Sequence, residues 1–588
     1  MPGRMTRMPT SRIPYLSSMF NRTLSRPIAP TFRLASVTLA AALGGLPSQQ
    51  ANAQVPPVAI PPAADPAVIQ RQAIENEQRI RRRSEPDVPA PDKLIDQKPV
   101  PDVSAQDASI RFQVRQIVFT PSAILPESLL RELAAPYEGR EVSLAELREL
   151  VAAVNAQYQA RNIATAMAVI PPQEVTTGVV HIRLVEGRVG TVRIEGNAST
   201  ADRYIRWRAG QAPGALVDLP TLEADLQRFN RTNEMQLRAQ LEPGQDTGAT
   251  DIVLVAAEPE RQSVRAYTDN GGSRYTGETR FGAIYTNRSL LGWRDELTLS
   301  GAAAEGYRGG SVNYSVPVSP WGTRLSYGYF HDETKIRNGP FASLGIEGTS
   351  RTNLFGLRQP LLFVQAVQLD LTVSHKRQDS DSRIDPIELS HNQTNTTAVG
   401  VDMRAGADGN FTFAQLSFAT GEGRNASTDW QNFRLVRGYA RHWHDLGAAL
   451  SLQVGGSFQW TRDQLLPSSE QFFIGGDGSV RGYDSAALGG YNGYTLTAEL
   501  HRRLYGSTAP DSRSLGLSAF VFVDHGAVKA YAPPGTDGGL TSLTSAGLGF
   551  DLNYGKYLTA RLAYGYGFND RADLQRHQRV HFQVVAGF

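Results

Sequence analysis

From residue 263 to the C-terminus the sequence alternates apolar and polar residues, and no helical periodicity interrupts that pattern over 326 residues. Across Leu450–Trp460 one face reads Leu450, Leu452, Val454, Gly456, Phe458, Trp460, and the other Ser451, Gln453, Gly455, Ser457, Gln459. Val367, Leu369, Leu371 and Val373 alternate with Gln368, Asp370, Thr372 and Ser374 in the same way, as do Tyr494, Leu496, Ala498 and Leu500 with Thr495, Thr497, Glu499 and His501. A dyad of about ten residues, apolar outwards and polar inwards, is what a strand needs to stand between lipid and a wet lumen. Strands of soluble sandwiches alternate too, but they are usually shorter. Sixteen such segments can be placed: near 263–269, 277–287, 293–305, 310–318, 322–335, 348–359, 366–378, 394–405, 411–422, 432–444, 447–461, 491–505, 514–525, 540–553, 557–569 and 579–588. The expectation for 262–588 is a 16-stranded antiparallel transmembrane β-barrel. Val580, Phe582, Val584, Ala586 and Phe588 alternate to the end of the sequence, which closes on an aromatic.

The opposite end reads as an export leader, 1–53. Arg4, Arg7, Arg12, Arg22, Arg26 and Arg33 supply a basic stretch, Leu34–Leu46 a 13-residue weakly polar or apolar run, and Ala51-Asn52-Ala53 a small-x-small cleavage site. Thirteen residues fall short of the roughly 20 that a helix needs to cross a bilayer core. The leader also distorts the charge count. Without its six arginines the 59 basic residues become 53 against 57 acidic ones, so the remainder is mildly acidic and not a polyanion binder. Residues 54–110 follow, with one helical island. Asp65 is a plausible N-cap and Pro66 suits the first helical position of a helix near 66–83. Its sparse Ile69, Ile74 and Ile80 cannot seat it in an apolar core. Pro86, Pro89, Pro91, Pro99 and Pro101 then predict an extended linker.

Residues 111–258 hold a repeat of about 75 residues. The first copy (111–187) predicts a strand at Phe112–Phe119, helices at Pro126–Leu133 and Ser143–Arg161, and strands at Ile163–Ile170 and Val179–Val185. Ser143 followed by Glu146 is a capping-box signature, and Leu147, Leu150, Val151 and Val154 share one face. The second copy (188–258) predicts a strand at Val189–Glu195, a Gly196-Asn197 turn, helices near Thr200–Trp207 and Leu219–Asn230, and strands at Met235–Leu241 and Thr250–Ala256. This β-α-α-β-β order, found twice, resembles the POTRA domains of the outer-membrane assembly superfamily. In such sheets the second strand, here Ile163–Ile170 and Met235–Leu241, is expected at the edge.

The loop at 462–490 carries Phe472-Phe473-Ile474-Gly475-Gly476 and then Val480-Arg481-Gly482-Tyr483. The VRGY tetrapeptide resembles the tip of the inward-folded loop of the POTRA-barrel superfamily. Phe522, Asp524 and Gly526 match that family's F-x-D-x-G element. Alternation turns Leu517, Ala519, Val521 and Val523 towards lipid, so Phe522 and Asp524 face the lumen. A carboxylate in a confined lumen wants a charge partner, and the resemblance names Arg481, whose guanidinium can hold it bidentately.

Two POTRA-like domains behind a short helix and a proline-rich linker resemble the transporters of two-partner secretion, the hemolysin secretion and activation type. That resemblance implies a Gram-negative outer-membrane protein that captures an unfolded exoprotein in the periplasm and passes it to the cell surface. It implies that the 66–83 helix sits in the pore as a mobile plug; a solvated periplasmic helix is the alternative. It also makes Phe582, Val584 and Phe588 the segment read by the barrel-assembly machinery. An outer-membrane assembly insertase is the functional alternative, though it would carry more POTRA repeats; a ligand-gated porin or outer-membrane lipase is a more distant one. Enzymatic signatures such as H-E-x-x-H, G-x-S-x-G and the P-loop do not occur in the sequence. The expectation is therefore no catalytic residue, no cofactor, no metal and no nucleic-acid partner, in a protein that works as a monomer in lipid. His442 and His444 share one face of a strand and are better read as interface or lumen chemistry than as metal ligands. The passenger, whether cytolysin, adhesin or contact-dependent toxin, is not written in this sequence.

Overall fold

The computed structural model describes residues 61–83, 93–97 and 111–588, apart from 162, 164, 247–248, 365, 408, 425–429, 507–513, 534–537 and 570–576. The export leader and the linker prolines lie outside the described residues.

Sixteen strands close into one antiparallel barrel. In chain order, counting the strands of the N-terminal region and of one loop, they are β10 (Gln262–Asp269), β11 (Arg280–Asn287), β12 (Glu296–Ala304), β13 (Tyr307–Pro317), β14 (Arg324–Lys335), β15 (Glu347–Val364), β16 (Val367–Ile384), β17 (Ile387–Ala407), β18 (Asn410–Arg424), β19 (Gln431–Gly447), β20 (Leu450–Thr461), β23 (Asn492–Tyr505), β24 (Leu515–Lys529), β25 (Leu540–Tyr554), β26 (Leu558–Gly567) and β27 (Gln578–Gly587). The alternation predicts each of them. Outward Val454, Phe458 and Trp460 are exposed while Gln453 and Gln459, one residue off, are buried. Such a surface is an aggregation hazard in water and a requirement in lipid. Strands β15, β16 and β17 run to 18, 18 and 21 residues, longer than the sequence suggests. About 9–11 residues cross a bilayer, so their far ends project beyond it. There no apolar face is needed, and Gln378–Arg383 and His391–Thr394 carry none. Closure pairs Arg265–Asp269 of β10 with Gln583–Gly587 of β27, a shorter ladder than those of the neighbouring strands.

The first N-terminal domain contains β2 (Arg111–Val114), β3 (Gln116–Phe119), α2 (Glu127–Ala134), β4 (Arg140–Ser143), α3 (Leu144–Ala160), β5 (Ala166–Val169) and β6 (Val179–Glu186). The single strand expected at 112–119 is in fact two. At Arg115 the backbone leaves the sheet to bond Gly178, so β2 pairs with β4 while β3 pairs in parallel with β6. The four-residue β4 runs directly into a helix cap, which hides it in the sequence. That cap is the expected box: Ser143 accepts from the Glu146 N–H, and Glu146 accepts from the Ser143 N–H at 2.7 Å. The Ser143 N–H, with help from Arg140, holds the Glu146 carboxyl down to about 2. Ser143→Ala is expected to cost about 1 kcal/mol. A depressed carboxylate stabilises above its unfolded value and loses that contribution as pH falls through its folded value. Protection of the Ser143 amide from hydrogen exchange should therefore decline between pH 4.5 and 2, and Glu146→Gln should remove that dependence.

The second domain keeps the predicted order: β7 (Arg188–Glu195), α4 (Asp202–Ala209), α5 (Leu219–Thr232), β8 (Gln236–Pro243) and β9 (Ala249–Ala257). Tyr204, Ile205, Leu222, Leu226, Phe229, Leu237 and Leu254 form its core. The expected edge strand β8 is not bare, because a linker strand, β1 (Ile95–Gln97), lies parallel against it. The domain docks on the barrel's near turns. Trp293 packs edge-on to Tyr204 and Trp207, Arg294 pairs with Glu234, and Ser289 donates to the Ser199 carbonyl at 2.9 Å.

Candidate functional site

Strand β20 ends at the rim far from the N-terminal domains, and residues 462–491 turn back into the lumen. Their stem is a short hairpin, β21 (Phe472–Ile474) with β22 (Leu488–Gly490), and Val480–Tyr483 lie beyond it. Arg481 is 4% exposed and Asp524 is fully buried. Two guanidinium nitrogens of Arg481 donate to the two Asp524 oxygens, each at 2.7 Å, and its main-chain N–H adds a bond at 3.1 Å. A fork meeting a fork is the strongest geometry for such a pair. The remaining guanidinium nitrogen reaches Glu499 on β23 at 2.5 Å. Glu499 in turn accepts from Arg561 on β26 at 2.8 Å and lies 2.9 Å from His501. Two carboxylates on adjacent strands thus hold one arginine, and Arg561 and His501 brace the second of them. The guanidinium also lies over the Phe522 ring, 3.5 Å from its centroid.

The other motif residues surround that contact. Gly482 takes φ +94°, and it presses against β26 so closely that a Cβ on Gly565 would meet its nitrogen at 2.7 Å. Val480 packs with Phe472, Ile474, Tyr483, Val528 and Leu543, and a Cβ on Gly526 would sit 3.0 Å from the Val480 methyl. Tyr483 is buried, with its hydroxyl 3.1 Å from the Thr544 carbonyl. The F-x-D-x-G positions therefore play three separate parts: a ring beneath the cation, an anion against it, and a gap for the neighbouring valine.

A second anchor carries no motif, and the sequence did not point to it. Glu470, upstream in the same loop, is fully buried among Lys376 of β16 at 2.6 Å, Thr396 of β17 at 2.9 Å and Arg437 of β19 at 2.7 Å. Its signal was available only indirectly, as two inward cations on the facing wall.

The helix α1 (Pro66–Arg83) runs inside the barrel, capped by Asp65, whose carboxylate accepts from the Ala67 N–H at 2.8 Å. Gln70 is wholly buried, donating to Asp332 at 2.5 Å and accepting from Thr352 at 2.6 Å. Glu77 accepts from Ser300 at 2.7 Å, and Arg81 pairs with Glu296. Asn76 spans the closing seam: it donates to Asp269 of β10 at 3.1 Å and accepts from Gln583 of β27 at 3.3 Å. Arg71 and Arg79 reach the inward loop, at the Gln471 carbonyl (2.6 Å) and Asp477 (2.7 Å). The few apolar residues sit in small pockets, Val68 beside Ala486 and Ile80 between Ile284 and Val585.

The remaining expected residues lie apart from this cluster. Phe582 and Val584 are on the outer face of β27, and Phe588, one residue past its end, is 75% exposed. His442 and His444 are exposed, their rings 5.8 Å apart on the outer face of β19.

Residues 248–552 match the family described as haemolysin secretion/activation protein ShlB/FhaC/HecB, and residues 112–187 match the POTRA domain of ShlB type. The heme/hemopexin transporter protein HuxB of Haemophilus influenzae strain 86-028NP is 25% identical over 423 residues, 68% of this chain and 73% of that one. The outer membrane transporter CdiB of Escherichia coli is 23% identical over 455 residues, 74% of this chain and 76% of its own length. Among solved structures, CdiB from Escherichia coli superposes with a TM-score of 0.59 at 21% identity, covering 88% of this chain and 97% of that one. BamA from Haemophilus ducreyi lacking POTRA domains 1–3 superposes at 0.51 with 15% identity, covering 81% and 100%. Likeness at these identities shows the fold alone and does not decide between a transporter and an insertase. The family match separates them, and it favours secretion over the insertase alternative.

Proposed function

The chain belongs to the haemolysin secretion/activation family, a Gram-negative outer-membrane transporter of two-partner secretion, and from that premise we propose how its parts divide the work. The N-terminal domains, of which residues 112–187 are a POTRA domain, take up an extended exoprotein at their strand edges. Helix α1 and the inward loop are the closure that the passenger must clear. The relatives named for heme/hemopexin transport do not identify this chain's cargo.

The observation that carries this reading is the chemistry holding α1. Gln70, Asn76, Glu77, Arg79 and Arg81 all bind the lumen through hydrogen bonds or ion pairs. Each of these bonds has a charged partner and exchanges for water at a net cost of about 1.5–3 kcal/mol. A helix held this way can leave for a hydrated space, where one seated by a continuous apolar face could not. The loop is fixed more strongly, through Arg481 and Glu470, so the helix is the part that moves first. Deleting residues 57–83 should raise single-channel conductance in planar bilayers several-fold. Unchanged conductance would reject α1 as the closure.

A further inference from the structure

The outer face of β14–β16 carries a cluster of cations just beyond its apolar belt. On β14 the outward residues Leu325, Tyr327 and Tyr329 give way to His331. On β15 Leu357 and Phe355 give way to Asn353 and Arg351, and on β16 Leu371 and Val373 give way to His375 and Arg377. The ladder sets Arg351 between His331 and Asp379, and Arg377 beside Asn353. Arg351 and Arg377 are therefore diagonal neighbours on one face, about 7–8 Å apart. Both are exposed.

The nearest acids are turned to other partners. Asp379, opposite Arg351, accepts from the Gln393 amide at 2.6 Å and lies 3.4 Å from His391. Glu333 lies 3.5 Å from His331. Among the described residues no acid is paired with Arg351 or Arg377. Two guanidinium groups this close repel each other, and more strongly beside lipid, where the dielectric is low. An anion from outside the protein removes that cost. The cluster is also one-sided. On β25–β27 the basic residues Arg561, Arg579 and His581 all face the lumen, bonded to Glu499, Asp484 and Gly482.

We propose that Arg351 and Arg377, flanked by His331 and His375, bind a phosphate of the outer-leaflet glycolipid, lipopolysaccharide. The place fits, because these residues stand where the outward face leaves the hydrocarbon on the side away from the N-terminal domains. Two planar forks can grip one phosphate from both sides, each with paired N–H donors. The acyl chains then run down over Phe355 and Tyr327, which are 53% and 40% exposed with ring centroids 5.0 Å apart. The inner face of the same strands holds α1 and the inward loop. Ser350 and Thr352, on either side of Arg351, bond Gln70, and Lys376, next to Arg377, holds Glu470. The lipid thus braces from outside the wall that carries both from within.

The test titrates purified full-length protein in detergent with lipopolysaccharide, and with the same lipid after phosphatase treatment. Arg351→Gln/Arg377→Gln should bind the intact lipid at least tenfold more weakly than wild type, and wild type should lose as much towards the phosphate-free lipid. Both substitutions replace exposed side chains, and heat-modifiable migration on gels checks that the barrel still folds. Arg434→Gln/Arg462→Gln removes the same charge from exposed positions at the ends of β19 and β20 and should leave the affinity unchanged. The site is overturned if the first pair binds as tightly as wild type, or if the second pair weakens binding equally. Equal affinity for the phosphate-free lipid, or equal competition by phosphatidylglycerol vesicles, overturns it as well, because the surface then reads no glycolipid phosphate.

Discussion

Arg481→Ala is expected to abolish most secretion while the barrel still inserts. Removing the guanidinium strands the fully buried Asp524 and takes one of two cations from Glu499. Breaking a pair this deep costs on the order of 3–5 kcal/mol, and lumen water lowers that figure. Barrel ladders do not depend on the pair, so heat-modifiable migration on gels should stay normal while exported protein falls. Arg481→Lys should recover little, because an ammonium cannot bond both Asp524 oxygens and Glu499 in one plane. A charge exchange is the sharper measurement, and Glu499 dictates its form. In Arg481→Asp/Asp524→Arg the new carboxylate faces Glu499, which now lies 2.5 Å from the guanidinium, so the exchange alone should stay defective. Adding Glu499→Gln removes that repulsion and should return part of the activity. Normal secretion by Arg481→Ala would show that the loop does not need this anchor.

The barrel was legible because lipid imposes a rule on every crossing strand: Val521 and Val523 look out, Phe522 and Asp524 look in, and a period of two says so directly. Legibility ended where lipid ends. The distal halves of β15–β17 carry polar residues on both faces, so no alternation marks them. Arg481 with Asp524 could be paired in advance because a resemblance supplied both motifs. Glu470 could not. It lies 94 residues from Lys376 and 33 from Arg437, and only barrel closure brings them together. Strand β1 was hidden for another reason. Three residues between prolines have no periodicity of their own, and they become a strand only because β8 offers an edge.

Glu470 should prove as consequential as Arg481, through a different failure. Its carboxylate is the shared counter-ion of Lys376 and Arg437, and Gln459 bonds its main-chain carbonyl at 2.8 Å. Glu470→Ala leaves two cations facing each other with no anion between them. The uncompensated pair costs on the order of 3–5 kcal/mol where burial is deep, and less here because the Lys376 and Arg437 side chains keep 24% and 34% of their exposure. The upstream half of the loop should swing off the wall. Arg71 of α1 would then lose its bond to the neighbouring Gln471 carbonyl, so the closure helix loosens as well. A single cysteine at Ser479 should react faster with an impermeant maleimide on intact cells in the Glu470→Ala background. Lys376→Met added to Glu470→Ala removes one stranded cation and should slow that reaction again. If the double variant reacts as fast as Glu470→Ala alone, the loop is held by its main-chain bonds, and the buried carboxylate is not its anchor.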